Sequence, residues 1–504
     1  MKSNLNTDIA DVLIIGGGVN GTGIARDAAG RGASVVLVEQ GDLASATSSA
    51  STKLFHGGLR YLEQYDFLLV RKALKEREIL LRNMPHISRP MRFVLPHVKG
   101  MRPAWMLRIG LFIYDHLGGR SMLPGTHVLD LRTDIAGGPL KAGFRWAFEY
   151  SDGWVDDARL VVLNACDAAD RGAQVLTRTK LVAARREGGH WVADLQDTRT
   201  GAVVQKRAWA LVNAGGPWVN KVIDALDGVV PPDPVRLVRG SHIVVRKLFD
   251  HDRAYFFQLP DGRIIFAIPY QGEFTLIGTT DVDHTSDPAT AECSAEEAAY
   301  LCSAASDYFS QAVAVSDIVW TYSGVRPLDD TLEGNASTAS RDYHIKVSDQ
   351  NGQAPLISIY GGKITTFRKL SEQAVAELGE YIELTGQPWT DHTPLPGGDF
   401  PMGGRAALAD ELAADYPFLG LEVCRRMVSA YGTLAWKMLG DAKTTDDLGQ
   451  DFGGGLFGCE VRWLVAREFA LTAEDILWRR SKLGLVVSPA QAAVLDGWLK
   501  EVGA

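Results

Sequence analysis

The chain has 504 residues, enough for two to four domains, and its 46% hydrophobic and 22% charged residues are ordinary for a globular protein. The formal net charge of −9 argues against a general nucleic-acid binder, because such proteins need a basic surface. The five cysteines are scattered and include no Cys-x-x-Cys pair. Neither a disulfide framework nor a metal site is therefore expected, and a reducing compartment is indicated.

Apolar periodicity, with Gly and Pro as boundaries, predicts both helices and strands along the chain. In chain order these are a strand at 11–15, a helix within 16–32, a strand at 34–39, helices at 66–83 and 156–171, strands within 175–195 and at 208–213, an antiparallel sheet over 241–283 and a strand at 356–360. Beyond the Pro- and Gly-rich stretch 393–404, the chain is predicted to be helical. No stretch reaches about 18 apolar residues, so no membrane-spanning helix is expected.

The turn between the first strand and the first helix contains Gly16, Gly18 and Gly21 in the spacing Gly-x-Gly-x-x-Gly. In this motif the first glycine makes a tight turn, the second lets the backbone approach a pyrophosphate, and the third lets the helix pack on the strand. The helix N-terminus then offers free N–H groups to the phosphates. Glu39 ends the second strand, where an acid accepts hydrogen bonds from ribose hydroxyls. Together these features predict a dinucleotide-binding site.

Two more strand-to-glycine turns lie far downstream. One contains Gly215 and the other contains Gly361 and Gly362, immediately before a predicted helix. Three such turns suit a cofactor that extends across a whole domain, which favours FAD over NAD. The expected cofactor contacts are Gly16, Gly18, Gly21, Glu39, Ser48, Ser49, Gly215, Gly361, Gly362, Lys363 and Thr365.

Six further blocks of sequence are distinctive. They are TSSASTKLFHGGLRYLE at 47–63, YSDGWVDDARL at 150–160, GSHIVV at 240–245, IGTTD at 277–281, WTYSGVRP at 320–327 and GGK at 361–363. These blocks resemble those of FAD-dependent, aerobic-type glycerol-3-phosphate dehydrogenases, in the glycine and D-amino-acid oxidase superfamily. The resemblance extends from about residue 10 to the C-terminus, and the block at 47–63 is the most selective of the six.

The resemblance implies an α/β fold of α+β multidomain type with three parts. The first is a Rossmann-like FAD-binding domain built from residues 1–90, 151–230 and 322–385. The second is an antiparallel β-sheet domain that binds substrate, built from residues 91–150 and 231–321. The third is a helical C-terminal domain at residues 390–504.

The resemblance also implies the reaction, which is oxidation of sn-glycerol 3-phosphate to dihydroxyacetone phosphate with hydride transfer to FAD. Electrons would then pass to a membrane quinone, either ubiquinone or menaquinone. A phosphate dianion needs fixed cations, and Arg binds phosphate through a planar, bidentate fork. In the family, the positions that match this chain's Arg60, Tyr61, Arg326, Arg341 and Lys363 line the substrate pocket.

Oxidation at carbon 2 also needs an acceptor for the hydroxyl proton. His56 and His242 are candidates, because an imidazole titrates near neutral pH, and Arg326 is an alternative that would stabilise a developing alkoxide. The sequence does not rank these three. Lys363 precedes a predicted helix, so it would place positive charge near the flavin and favour the anionic reduced form.

Residues 91–120 mix five basic residues and one acid with many apolar and aromatic residues. This composition predicts an interfacial segment that attaches the protein peripherally to the inner, cytoplasmic face of the cell membrane. The alternative is a basic helix that covers the substrate domain. A homodimer is also expected.

Two other functions are consistent with a flavin fold. The first is a glycerol-3-phosphate oxidase that passes electrons to oxygen and makes peroxide. The second is a flavin-binding redox sensor without turnover. A sensor has no need of a phosphate pocket, so the cations Arg60, Arg326 and Lys363 argue against the second.

Overall fold

The structure is a computed structural model that describes residues 9–59, 66–98, 102–119, 122–231, 234–329 and 343–503. The strands in this part of the chain are β1 (Ile9–Ile15), β2 (Val35–Val38), β3 (Leu54–Phe55), β4 (Ser88–Pro96), β5 (His127–Asp130), β6 (Trp146–Val155), β7 (Gln174–Leu176), β8 (Thr179–Glu187), β9 (His190–Asp197), β10 (Val203–Asn213), β11 (Val235–Arg246), β12 (Ala254–Gln258), β13 (Ile264–Tyr270), β14 (Phe274–Gly278), β15 (Val282–Asp283), β16 (Ile318–Asp329), β17 (His344–Gln350) and β18 (Gln353–Tyr360). The helices are α1 (Val19–Gly30), α2 (Phe67–Asn83), α3 (Ala104–Leu117), α4 (Asp157–Asp170), α5 (Val219–Ile223), α6 (Ala295–Tyr308), α7 (Phe367–Leu378), α8 (Arg405–Asp415), α9 (Leu421–Tyr431), α10 (Leu434–Leu439), α11 (Gly458–Glu468) and α12 (Pro489–Glu501).

The first sheet has the strand order β17-β18-β10-β1-β2-β7, and every neighbouring pair from β18 to β7 is parallel. The central strands β1 and β2 contain the buried apolar runs 12–15 and 35–38, because both faces of the sheet are covered there. Helices α1 and α7 pack on one face, and the antiparallel strands β8 and β9 contribute to the core on the other. Helix α1 approaches α7 closely at Gly23, where a Cβ atom would lie 2.5 Å from the Ser371 Oγ atom. This sheet confirms the predicted Rossmann-like domain.

The second sheet has the order β15-β11-β14-β13-β12-β4-β6-β3, with β16 paired to β11 and β5 paired to β6. It is antiparallel, as predicted, apart from the parallel pair β12–β4. Helix α6 packs on one face, and helices α2 and α3 pack on the other. The predicted domain boundaries at 91, 151 and 322 fall inside β4, β6 and β16, all strands of this sheet. Apolar patterning predicts a strand but does not say which of two sheets it joins, so these boundaries stay a prediction.

The segment 91–120 divides between two elements. Residues 91–96 complete strand β4, and the apolar and aromatic residues beyond them form helix α3. Arg92 does not present a free positive charge to solvent, because its guanidinium pairs with Glu149 Oε2 at 2.8 Å and donates to Ser151 Oγ at 2.5 Å. Both partners lie on β6, the strand that pairs with β4. Lys99 and Arg120 lie outside the described residues, whereas Arg102 and Arg108 are exposed.

The C-terminal helices α8 to α12 enclose an apolar core of their own, as expected for a helical domain. Buried ion pairs fix this domain to the first sheet. Arg480 donates to both carboxylate oxygens of Asp42 at 2.8 Å, and Arg178 pairs with Asp475 at 2.7 Å. Loss of one partner from a buried pair costs about 3–5 kcal/mol. The domain is therefore held firmly against the loop that follows β2.

Candidate functional site

The glycine turn after β1 brings three backbone segments into direct contact. Gly16 has a φ of +113°, and a Cβ atom there would lie 2.5 Å from the Ala214 carbonyl oxygen at the end of β10. A Cβ atom on Gly21 would lie 1.9 Å from the Gly16 carbonyl oxygen, so the helix meets the strand where no side chain fits. The structure therefore shows the tight turn predicted at Gly16 and the close packing of helix on strand predicted at Gly21.

Glu39 braces this turn. One carboxylate oxygen accepts a hydrogen bond from Gly17 N and the other from Gly41 N, each at 2.7 Å. Burial raises the pKa of Glu39, and the two N–H groups oppose that rise. The side chain lines the cavity described below, and its contact with a ribose stays a prediction.

Ser48 lies at the N-terminus of α1, where its Oγ atom accepts a hydrogen bond from Val19 N at 3.0 Å. A Cβ atom on Gly18 would lie 3.1 Å from the same Oγ atom, so this glycine lets the serine loop approach the helix. Ser49 instead donates to the Ala46 carbonyl oxygen at 3.3 Å within its own turn. Ser48 is thus at the helix end where a pyrophosphate binds by the general rule for such turns.

The three glycine turns line a single cavity of about 990 Å³. The second turn is closed by Gly215 N, which donates to Asn213 Oδ1 at 3.1 Å, and the third is tied to α1 by Asn20 Nδ2, which donates to the Gly361 carbonyl oxygen at 3.3 Å. Gly362 has a φ of +108°. One continuous cavity that meets all three turns fits an extended dinucleotide such as FAD.

His242 lies in β11 on the wall of this cavity. Its Nε2 atom is 2.9 Å from Thr52 Oγ1, and its ring stacks on Tyr322 with centroids 4.7 Å apart. The Nδ1 atom is buried and has no hydrogen-bond partner among the described residues. Burial first, and then the charges of Lys53 and Arg326, lower the pKa of His242 well below its ordinary value. The imidazole is therefore neutral at physiological pH.

His56 also lines the cavity and follows strand β3. Its backbone is clamped by one hydroxyl: His56 N donates to Thr365 Oγ1 at 3.2 Å, and Thr365 Oγ1 donates to the His56 carbonyl oxygen at 3.3 Å. Thr365 therefore positions His56, and its expected contact with the cofactor stays a prediction. Lys363, two residues before Thr365 in the chain, also lines the cavity.

Arg326 lies in β16 on the same sheet face as His242 in the neighbouring strand. Its Nη2 atom donates to the Thr280 carbonyl oxygen at 3.0 Å and to Asp281 Oδ1 at 2.6 Å. A Cβ atom on Gly240 would lie 2.7 Å from this Nη2 atom, so the glycine makes room for the guanidinium. Three predicted substrate residues, Arg60, Tyr61 and Arg341, lie outside the described residues.

Residues on the cavity wall and directly behind it could not be predicted from the sequence. Lys53 is fully buried, pairs with Asp157 at 2.7 Å and lies 5.0 Å above the Tyr322 ring. From the C-terminal domain, Trp478 stacks on Trp320 with centroids 4.5 Å apart. Lys482, whose pKa burial lowers to about 8, lines the same wall. Lys53 falls within the distinctive block at 47–63, so the sequence offered a signal for it. No motif or spacing in the sequence indicates that Trp478 and Lys482 reach the cavity.

Comparison with known families matches residues 11–368 to the family described as FAD dependent oxidoreductase. Residues 388–503 match the family described as the C-terminal domain of alpha-glycerophosphate oxidase. A glycerol-3-phosphate dehydrogenase of Pseudomonas aeruginosa is 50% identical over 98% of this chain and 95% of its own length. The aerobic glycerol-3-phosphate dehydrogenase of Escherichia coli K12 is 48% identical, with 97% of each chain covered. A D-erythritol 1-phosphate dehydrogenase of Brucella abortus is 47% identical over 97% of this chain and 98% of its own.

Solved structures show the same similarity. The glycerol-3-phosphate dehydrogenase from Bacillus halodurans, complexed with FAD, has a TM-score of 0.79 and 28% identity, and covers 98% of this chain and 91% of its own. The L-alpha-glycerophosphate oxidase from Mycoplasma pneumoniae, with FAD bound, shares the fold at a TM-score of 0.60 and 19% identity. It covers 77% of this chain and all of its own.

Proposed function

Because this chain belongs to the FAD-dependent oxidoreductase family, which confirms FAD as its cofactor, we propose that it oxidises sn-glycerol 3-phosphate to dihydroxyacetone phosphate. The observation that most supports this proposal is a shared cavity. The dinucleotide turn at residues 16–18, both candidate histidines and the cations Arg326 and Lys363 all line it. A phosphorylated alcohol needs fixed cations beside a hydride acceptor, and this cavity offers both.

In the proposed complex, Arg326 and Lys363 bind the phosphate dianion. The resemblance adds Arg60, Tyr61 and Arg341 to this group. The Nη2 atom of Arg326 already donates to the Thr280 carbonyl oxygen and to Asp281, so the planar guanidinium is held in place before substrate arrives. Such preorganisation orients carbon 2 of the substrate for the reaction.

Bound FAD supplies the hydride acceptor, and the chain itself must take the hydroxyl proton. We assign this proton to the His56 imidazole. His242 is a poor acceptor, because its pKa lies well below the ordinary value and the positive charges of Lys53 and Arg326 oppose its protonation. Arg326 cannot accept the proton because a guanidinium is not deprotonated in proteins; besides binding the phosphate, its positive charge would stabilise negative charge that develops on the substrate oxygen.

The first test is an anaerobic visible spectrum of the holoenzyme. Glycerol 3-phosphate should bleach the flavin band near ~450 nm, which is a property of the cofactor. D-erythritol 1-phosphate is added in parallel, since a relative of similar identity bears that name. Faster bleaching by the second compound would change the assigned substrate, and no bleaching by either would refute the proposal.

The Arg326→Lys variant tests the phosphate site. It keeps the charge and loses the planar fork, so the substrate dissociation constant should rise about 10- to 100-fold, as expected for a loss of ~1.5–3 kcal/mol. Arg425→Lys is the matched control, because Arg425 is exposed on α9 and pairs with Glu422 at the surface. Equal dissociation constants for both variants and the wild type would place the phosphate elsewhere.

We further propose a membrane quinone as the electron acceptor. A soluble quinone analogue should reoxidise the bleached flavin much faster than dissolved oxygen does. Peroxide formed in a one-to-one ratio with substrate would instead favour the oxidase function. The homodimer stays a prediction.

Helix α3 supports the proposal of peripheral attachment. Trp105, Ile109 and Phe112 recur along it at helical spacing and are 63%, 52% and 61% exposed. Arg102 and Arg108 lie in the same stretch and are also exposed, which matches a surface of anionic headgroups. Among the described residues, no helix is long and apolar enough to cross a membrane.

The Phe112→Glu variant tests this surface. Binding to vesicles of anionic phospholipid should fall at least about tenfold, because the change removes an apolar contact and adds a repelled charge. Val494→Glu is the control, since Val494 is 51% exposed on the distant helix α12. If both variants bind vesicles like the wild type, α3 is not the attachment site.

A further inference from the structure

Helix α3 reaches from the surface to the active-site loop through one side chain. Of its residues, only Leu111 and Tyr114 are buried. The Tyr114 hydroxyl accepts a hydrogen bond from Gly57 N at 2.8 Å, and Gly57 directly follows His56. The helix with the exposed apolar face is therefore bonded directly to the backbone beside the candidate proton acceptor.

A buried charge network fixes the direction of this hydroxyl. Tyr114 donates to the carboxylate of Asp152, whose oxygens lie 2.9 and 2.8 Å away. Asp152 in turn pairs with Arg77 of α2 at 2.7 Å. Because the tyrosine proton points to the carboxylate, the oxygen lone pair is left to accept the Gly57 N–H group. The acceptor is thus oriented before any substrate binds.

Packing leaves this loop little freedom. A Cβ atom on Gly57 would lie 2.5 Å from Leu74 Cδ2 and 2.8 Å from the Tyr114 hydroxyl oxygen. On the other side, Thr365 clamps the His56 backbone through both its N–H and its carbonyl group. The loop is therefore held between one hydroxyl from the first domain and one from α3.

From these contacts we infer that Tyr114 is a positioning residue, which sets the place of the His56 imidazole through its hydrogen bond to Gly57. The inference rests on the proposed function for the identity of the reaction and for the role of His56 as proton acceptor. Tyr114 is buried and is not among the described residues that line the cavity, so its effect is indirect. A misplacement of about 1 Å in a reacting group can cost roughly 100-fold in rate.

The test uses Tyr114→Phe in the FAD-loaded enzyme. Tyr255→Phe is the matched control, because the buried Tyr255 hydroxyl on β12 also bonds to the backbone, at 2.7 Å from the Ala136 carbonyl oxygen. Tyr114→Phe should lower the limiting rate of anaerobic flavin reduction at least about tenfold and change its pH profile. The substrate dissociation constant should stay within about twofold. Tyr255→Phe should leave rate and pH profile unchanged.

A second readout does not depend on activity. Hydrogen–deuterium exchange of a peptide that spans Gly57 should become at least about tenfold faster in Tyr114→Phe and not in Tyr255→Phe, because only the first loses the bond to Gly57. If Tyr114→Phe does not fold, Asp152→Asn replaces it in the test. This variant keeps the tyrosine hydroxyl, so exchange at Gly57 should still become faster than in the wild type, but by less than in Tyr114→Phe. Unchanged exchange at Gly57, or a wild-type rate and pH profile, would overturn the inference. A wild type that no substrate reduces would refute the proposed function, while the exchange result still decides the role of Tyr114.

Discussion

The Gly21→Ala variant tests whether the close approach of α1 to β1 is what makes the dinucleotide site. The added Cβ atom would lie 1.9 Å from the Gly16 carbonyl oxygen, far inside any van der Waals contact, so the helix must move away by about 1 Å or more. That movement carries the N-terminal N–H groups of α1 away from the position where we expect the pyrophosphate to bind. Two weakened hydrogen bonds to a charged group cost about 3–4 kcal/mol, or roughly 10²- to 10³-fold in FAD affinity.

The assay is titration of the FAD-free protein with FAD, followed by flavin fluorescence. Gly110→Ala is the control, because Gly110 lies in helix α3 and a Cβ atom there has no neighbour within 4 Å. That change should stabilise the helix by about 0.5–1 kcal/mol and leave FAD affinity unaltered. An FAD dissociation constant for Gly21→Ala within twofold of the wild type would refute the argument from backbone contact.

Two further predictions concern stability. Burial alone would raise the pKa of Asp475, but backbone N–H groups and arginine side chains outweigh burial and hold the pKa at about 2. The ionised carboxylate therefore stabilises the fold above its unfolded pKa near ~4. This contribution is lost as the pH falls towards 2. The difference in thermal midpoint between wild type and Asp475→Asn should therefore shrink over that pH range, while the exposed control Asp410→Asn shows no such trend. Lys53→Met leaves the buried carboxylate of Asp157 without its cation, so the free energy of unfolding measured in urea titrations should fall by about 3–5 kcal/mol. The control is Lys72→Met, on an exposed face of α2, which should change that free energy by less than ~0.5 kcal/mol. A Lys53→Met protein as stable as the wild type would show that this pair is dispensable.

The dinucleotide turn could be predicted because its chemistry is local. Gly16, Gly18 and Gly21 lie within six residues, and their spacing alone predicts the close contact of helix and strand. Glu39 also accepts hydrogen bonds from two backbone N–H groups, and its position at a strand end did not predict this second role. For Thr365, the motif predicted a cofactor contact, which stays a prediction, and did not show that its hydroxyl also bonds to the backbone of His56.

The sequence by itself determined the βαβ unit with its dinucleotide turn and the helical C-terminal domain, because periodicity and glycine spacing depend on neighbours in the chain. Tertiary structure alone decided which strands share a sheet and which distant residues complete the cavity wall. Trp478 and Lys482 reach the cavity, and Tyr114 reaches Gly57, across long stretches of sequence. Such contacts depend on how separately formed elements pack, and a side chain buried at a domain contact has the same local sequence pattern as one on a surface.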